Sequence, residues 1–268
     1  MQTLLLQYSE SCFQSLANSL KMASEDYSIG VVHNLRLSIK KIRALLEVVG
    51  FRDDALKGVQ ILKKIDSLFL HSGHLRDIHV QTILLESYRI QVGEEVDFII
   101  AGIKKEKKKI NKQLQNRIRR INPFDIVLLN QRLDNTIESI DSNTLESHCR
   151  LKIDQLLDQI IQIISDIPDE NMLHRIRILL KELIYTYSII KKGRLKINFD
   201  AEFIKKLNNL QQKLGYWHDL KVLFDRIAKV DNHNEKLSRL LRRVNSDKSA
   251  FQAEIIDSLS QVAIIKAK

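Results

Sequence analysis

Apolar residues recur every three to four positions along nearly the whole chain, the period of helices that each bury one stripe. The pattern predicts helices over 2–24, 29–49, 54–71, 74–90, 94–121, 124–140, 143–166, 170–192, 200–215, 217–230 and 235–265. Their boundaries rest on punctuation residues. Gly50 closes the second segment, Asp53 stands as an N-cap for the third, and Gly73 is expected to break the chain before the fourth. Asn122-Pro123 reads as an N-cap followed by proline at the first helical position. Pro168, Gly193 and Gly215 supply later breaks, and Ser28 and Asn171 are candidate caps for the helices that start beside them. Helices of about 15–25 residues joined by short connections favour antiparallel bundles.

Composition narrows the class. With 8 Gly and 2 Pro in 268 residues, the turns that an all-β or doubly wound chain needs are missing, so an all-α fold remains. The opening MQTLLLQYSESCF has no basic region and too short an apolar run for a secretory signal, and nowhere do 18 apolar residues run together. Cys12 and Cys149 are far apart and form no CxxC, so the expected compartment is a reducing cytoplasm. No GxGxxG, phosphate-binding P-loop or GxSxG elbow occurs. Against this ordinary background, 43 Lys+Arg outnumber 33 Asp+Glu, for a net charge of +10. Such an excess calls for a polyanion: nucleic acid, an acidic membrane or a phosphate polymer.

The chain also repeats itself. His33-Asn-Leu-Arg36-Leu-Ser-Ile-Lys40 matches His174-Arg-Ile-Arg177-Ile-Leu-Leu-Lys181 at an offset of 141. Gly73-His-Leu-Arg-Asp77-Ile-His-Val80 matches Gly215-Tyr-Trp-His-Asp219-Leu-Lys-Val222 at 142, and Lys63-Lys64 maps onto Lys205-Lys206 at the same offset. Gly50 and Gly193 end the His-bearing helices. Four landmarks in constant order predict two helical repeats, 1–121 and 122–268, within a single domain spanning 1–268. The two repeats are expected to form antiparallel helical bundles related by a pseudo-twofold, with their basic faces meeting.

On a helix, His33, Arg36, Lys40 and Arg43 fall within an arc of about 80°, while Leu35, Ile39, Ile42 and Leu46 take the opposite side. His174, Arg177 and Lys181 repeat the stripe, shortened where Ile184 replaces the counterpart of Arg43. Like charges at these spacings repel, so a face built twice without interleaved acids implies an anion that neutralises it. Arg offers a planar fork for phosphate oxygens, Lys a mobile point charge, and His a further donor once an anion favours its imidazolium form. Lys41, Lys63, Lys64, Lys205 and Lys206 are second-rank candidates. The long helix carrying Lys104, Lys105, Lys107, Lys108, Lys109, Lys112, Arg117, Arg119 and Arg120 is either an extension of this surface or solubilising charge.

These residues resemble the CHAD family, the conserved histidine α-helical domain. The resemblance is carried by Val32-His33-x2-Arg36-x3-Lys40-Lys41-x-Arg43 and Gly73-x-Leu75-Arg76-Asp77-x2-Val80 in the first half. In the second it is carried by Leu173-His174-Arg175-Ile176-Arg177-x3-Lys181-x3-Tyr185 and Leu214-Gly215-x2-His218-Asp219-Leu220-x-Val222. It covers nearly the whole chain, and its motifs are loose singly but specific together. The resemblance implies two pseudo-symmetric helical bundles enclosing a basic cleft or pore, binding of inorganic polyphosphate, and association with polyphosphate granules. No attached triphosphate-tunnel domain is evident. Ile184, Glu182 and His218 depart from the pattern in the second copy, which implies weaker binding there.

Catalysis has two weaker candidates. His71, His74, Asp77 and His79 lie within nine residues, but Gly73 and the helical spacing keep them from sharing one metal. His218-Asp219 is a pair of the kind found in metal-dependent phosphohydrolases, yet Arg76, no metal ligand, occupies the equivalent place in the first copy. Asp77 and Asp219 are therefore assigned to bonding a helix start or a neighbouring cation. The tyrosines and Trp217 do not interleave with the basic residues as a base-stacking platform would. The expectation is a non-enzymatic polyphosphate binder with no catalytic residue, no metal, no cofactor and no membrane partner. RNA or DNA on the same face is the second choice and a phosphohydrolase the third; oligomeric state is left open.

Overall fold

The helical period is realised with few interruptions. A computed structural model describes residues 2–50, 60–93, 96–164, 168–194, 201–230 and 235–266. Among them it contains α1 (Gln2–Ala23), α2 (Ile29–Val48), α3 (Gln60–Val92), α4 (Val96–Ile118), α5 (Pro123–Ser139), α6 (Ser142–Ile164), α7 (Glu170–Gly193), α8 (Ala201–Val230) and α9 (Glu235–Lys266), and no strand. The expected breaks at Gly73 and Gly215 are corrected: both lie inside continuous helices. Glycine costs a helix interior about 1 kcal/mol. Burial of Leu68, Leu75 and Ile78 around Gly73, and of Leu214, Trp217 and Leu220 around Gly215, outweighs that cost. The proposed Asp53 cap lies outside the described residues.

Helix ends follow the sequence unevenly. The Asn122 side chain accepts from the Phe124 N–H at 3.0 Å, with Pro123 opening α5. Gly50, at φ +71°, turns the chain out of α2. Ser28 stands at the start of α2, but its hydroxyl donates to Asp26 at 2.6 Å and does not cap the helix. Asn171 is not the cap of α7 either: Asp169 accepts the Met172 N–H at 2.7 Å. A carboxylate two positions earlier both satisfies that orphan donor and opposes the helix dipole.

The chain divides into two compact units. The first comprises Met1–His74, Ile110–Asp158 and Lys181–Phe199; the second comprises Leu75–Lys109, Gln159–Leu180 and Asp200–Lys268. The divisions fall within α3, α4, α6 and α7, so each unit draws on both halves of the sequence.

In the first unit, α1 runs antiparallel to α5. Gln2 donates to the Ile140 carbonyl at 2.6 Å, and Ser9 to Asn130 at 2.9 Å. Leu5, Phe13 and Leu16 of α1, Val32, Leu35, Ile39 and Ile42 of α2, and Leu129, Leu133 and Ile137 of α5 are all buried. Lys152 of α6 ties two helices together, bonding Glu47 of α2 at 2.9 Å and pairing with Glu182 of α7.

In the second unit, α8 packs along α9, with Trp217, Leu220, Leu223 and Ile227 buried on one side and Leu240, Val244 and Ile255 on the other. Glu170, in the first turn of α7, accepts from Lys221 of α8 at 2.6 Å and from the buried Lys248 of α9 at 2.5 Å. Those two bonds hold its carboxyl below the usual range. The Lys248 ammonium also lies 4.8 Å from the centre of the Phe224 ring, where the ring quadrupole offsets part of its dehydration.

His79 of α3 is buried in this unit, and neither ring nitrogen has a hydrogen-bond partner. Burial, aided by Lys107, pushes its pKa from 6.5 down to about 4. The unfolded chain therefore binds a proton between these two values that the folded chain refuses. Stability conferred by neutral His79 is complete above pH 6.5 and is lost as pH falls towards 4, by up to about 1.4 kcal/mol per pH unit. Urea unfolding at pH 7 and pH 5 should show a drop in the native chain that His79→Leu largely abolishes; an equal drop in both would show that other groups set the acid sensitivity.

Candidate anion-binding faces

In the first unit, α2 buries Val32, Leu35, Ile39 and Ile42, and this turns the cationic side outward. His33 is exposed; Arg36, Lys40, Lys41 and Arg43 are half-buried. The first turns of α3 add exposed Lys63 and half-buried Lys64, and half-buried Lys181 of α7 belongs to the same unit.

Arg36 is held in a specific seat. Its Nη1 donates to the Phe69 carbonyl at 2.7 Å and to the Ser72 hydroxyl at 3.4 Å. Its guanidinium carbon lies 4.3 Å from the centre of the Phe69 ring, and that of Arg43 lies 4.3 Å from the same ring. A Cβ on Gly73 would come within 2.9 Å of Nη1, so the missing side chain is what admits the guanidinium. Carbonyl, ring and glycine all come from one stretch of α3.

Tyr185 faces Arg36 too: burial raises the phenol and the guanidinium opposes that rise. Not every cation is displayed in the same way. Arg43 pairs with Asp66, and Lys64 bonds Asp125 at 3.3 Å.

In the second unit, α7 brings exposed His174 and half-buried Arg177 to residues of α3 and α8. The His174 and His218 rings lie 5.2 Å apart. Asp219, buried, accepts both terminal nitrogens of Arg76, at 2.5 and 2.7 Å, a bidentate fork. Arg76 also reaches Asp77 at 3.3 Å. Both aspartates of the repeated motif therefore bond one cation, and Arg76 is the partner that neither copy of the motif identifies alone.

Arg177 is less well provided for. Dehydration by burial lowers its pKa, with Asp219 and Asp77 pulling the other way and Arg76 adding repulsion. Its Nε is buried without an acceptor. Lys205, exposed, and Lys206, paired with Glu202 at 3.0 Å, stand near the start of α8, nearly four turns before Asp219.

Among the described residues, no group of three or more His, Cys, Asp or Glu side chains is arranged to hold a metal ion. His71 Nδ1 lies 2.7 Å from the Ser67 carbonyl one turn back in its own helix, and His79 points into the core.

The CHAD domain family model matches residues 7–228. This chain belongs to the CHAD family. Membership agrees with the motifs on α2, α3, α7 and α8, and the family is one associated with polyphosphate. The crystal structure of the CHAD domain from the plant Ricinus communis superposes with a TM-score of 0.71 at 15% identity, covering 98% of this chain and 91% of that one. PptA from Streptomyces chartreusis superposes at 0.58 with 14% identity, covering 98% of each chain. At such identities the likeness shows the fold. No curated protein sequence matches significantly.

The two mid-helix glycines of this CHAD chain separate a steric role from a merely tolerated one. Gly215 has open space where a Cβ would stand, so Gly215→Ala should stabilise by up to about 1 kcal/mol through helix propensity. Gly73→Ala should show a smaller gain or a loss, because the methyl expels Arg36 from the Phe69 carbonyl, and the Arg36 side-chain N–H resonance should shift. Equal stabilisation by both substitutions, with that resonance unmoved, would remove the seat.

Proposed function

We propose that this CHAD chain binds inorganic polyphosphate and does not process it. The observation that carries the proposal is Arg177. A half-buried guanidinium whose Nε has no acceptor, in the field of an Asp219 carboxylate already engaged by Arg76, is under-compensated in the unliganded protein. Phosphate oxygens arriving from solvent would supply the missing acceptors. The repeated His-x2-Arg-x3-Lys stripes support the same ligand, as does the family's association with polyphosphate. A phosphate chain offers oxygens at every link and no bases to read, so spaced cations suffice to hold it.

The proposed contacts are His33, Arg36 and Lys40 with Lys41, Arg43, Lys63, Lys64 and Lys181 on the first unit, and His174 and Arg177 with Lys205 and Lys206 on the second. No described helix is long and apolar enough to cross a membrane. The proposed setting is the cytoplasm, with polyphosphate granules as the ligand store.

Arg177→Met provides the test. Replacing an under-compensated half-buried cation by an apolar chain of similar length should leave the unliganded protein as stable or more so. Affinity for long-chain polyphosphate should nevertheless fall about tenfold or more, the loss of roughly one charge-assisted contact. In calorimetric titration of the native chain, log affinity should decline with log salt by about 0.7 per phosphate neutralised. RNA bound as tightly as polyphosphate at equal phosphate concentration would overturn the ligand, and phosphate release dependent on a divalent metal and on His218 would overturn the absence of processing.

A further inference from the structure

The first unit carries an apolar groove whose lining includes none of the proposed polyphosphate contacts. It lies between α1 and the α4–α5 turn, with a volume of about 520 Å³. Phe13, Leu20, Ile118 and Ile126 lie along it, a lining typical of sites built to be filled. Its outer wall continues onto α5 as an apolar ridge that faces solvent: Phe124 is 62% exposed, Val127 50% and Leu128 38%. These three make up one helix face, at i, i+3 and i+4. A hollow and a knob of matching chemistry therefore sit side by side on one surface, and apolar patches of this kind mark association sites.

The rim of the groove names the occupant. Along α1 it is formed by Glu10, Gln14, Ala17 and Lys21, all exposed. Glu10 and Lys21 are eleven residues apart, three helical turns, and so stand on one face about 16 Å from each other. Their midpoint in the helix is also the midpoint of Gln14 and Ala17. A twofold axis through that point sets a second α1 antiparallel to the first. Glu10 of each copy then meets Lys21 of the other, and Gln14 meets the small Ala17, which lets the helices approach. The same axis offers the Phe124 ridge of each copy to the groove of the other. Self-complementarity of charge, of size and of knob with hollow is what an isologous interface requires. We propose that the chain forms a twofold dimer through α1 and α5, with a second copy of itself in this groove.

The experiment uses the full chain without polyphosphate, by sedimentation equilibrium near physiological ionic strength, where the net charge of +10 is screened beyond about 8 Å. A dimer is expected. Phe124→Glu should make the chain monomeric without unfolding it, since the ring is exposed and an acid in the first turn of α5 favours the helix. Glu10→Lys alone and Lys21→Glu alone should each weaken the dimer about tenfold or more, by setting like charges against each other twice. The double reversal, Glu10→Lys with Lys21→Glu, restores both pairs and should return the dimerisation constant to within about threefold of the native value. A chain that stays monomeric up to about 100 µM, or a double reversal no better than the single ones, overturns the proposal.

Discussion

Dehydrating a guanidinium is the constraint on which both cationic faces turn. Three arginines show three outcomes. Arg76 is matched by Asp219, two bonds to one carboxylate, and becomes part of the scaffold. Arg36 has a carbonyl, a hydroxyl and an aromatic face among its partners, and these fix its direction. Arg177 is half-buried, with its Nε lacking an acceptor and burial lowering its pKa against the pull of Asp219 and Asp77. A protein built only for stability would fill that last position with an apolar side chain. Keeping a cation there is intelligible if an anion completes it, so the energetic weak point and the proposed binding point are the same group.

The repeat takes a different meaning once Arg76 and Asp219 are seen bonded. They are near-equivalent positions of the two copies of one motif, yet they pair with each other within the second unit. Likewise Arg36, in the first copy's His-x2-Arg-x3-Lys stripe, is seated by Phe69 and Ser72, just before the first copy's second motif, and by Gly73, its first residue. The two motifs of a copy are thus not independent binding elements. In the first copy the stripe supplies the cation, and the second motif's opening glycine leaves room for it.

Much of this was legible beforehand, and what was not has physical causes. Helix positions could be read because the buried stripe repeats at 3.6 residues over long stretches, as in α2, where Val32, Leu35, Ile39 and Ile42 alternate with the cations. Gly73 and Gly215 misled because propensity is local, about 1 kcal/mol, while burial of the flanking leucines and Trp217 is tertiary. Several polar residues compete at a helix start: Ser28 takes the N-cap position of α2 but gives its hydroxyl to Asp26, and at α7 the Asp169 carboxylate, not Asn171, reaches the Met172 N–H. The cationic stripes were visible as spacing, but spacing says nothing about partners. Arg43, Lys64 and Lys206 stand on the expected surfaces, each against a carboxylate from outside the motifs.

Net charge is therefore a poor measure of what such a surface can bind. Ten excess cations would act alike only if all were equally displayed. Here carboxylates neutralise some, the scaffold absorbs Arg76 and Lys248, and burial sharpens Arg177. A polyanion gains most from cations that cannot lower their energy any other way, because bound water and nearby acids do not have to be displaced first. The apolar groove between α1 and α5 follows the same logic with the opposite material: its lining lacks apolar partners, and the proposed second copy would supply them while pairing Glu10 with Lys21. Both faces are defined less by what they present than by what the folded chain leaves uncompensated.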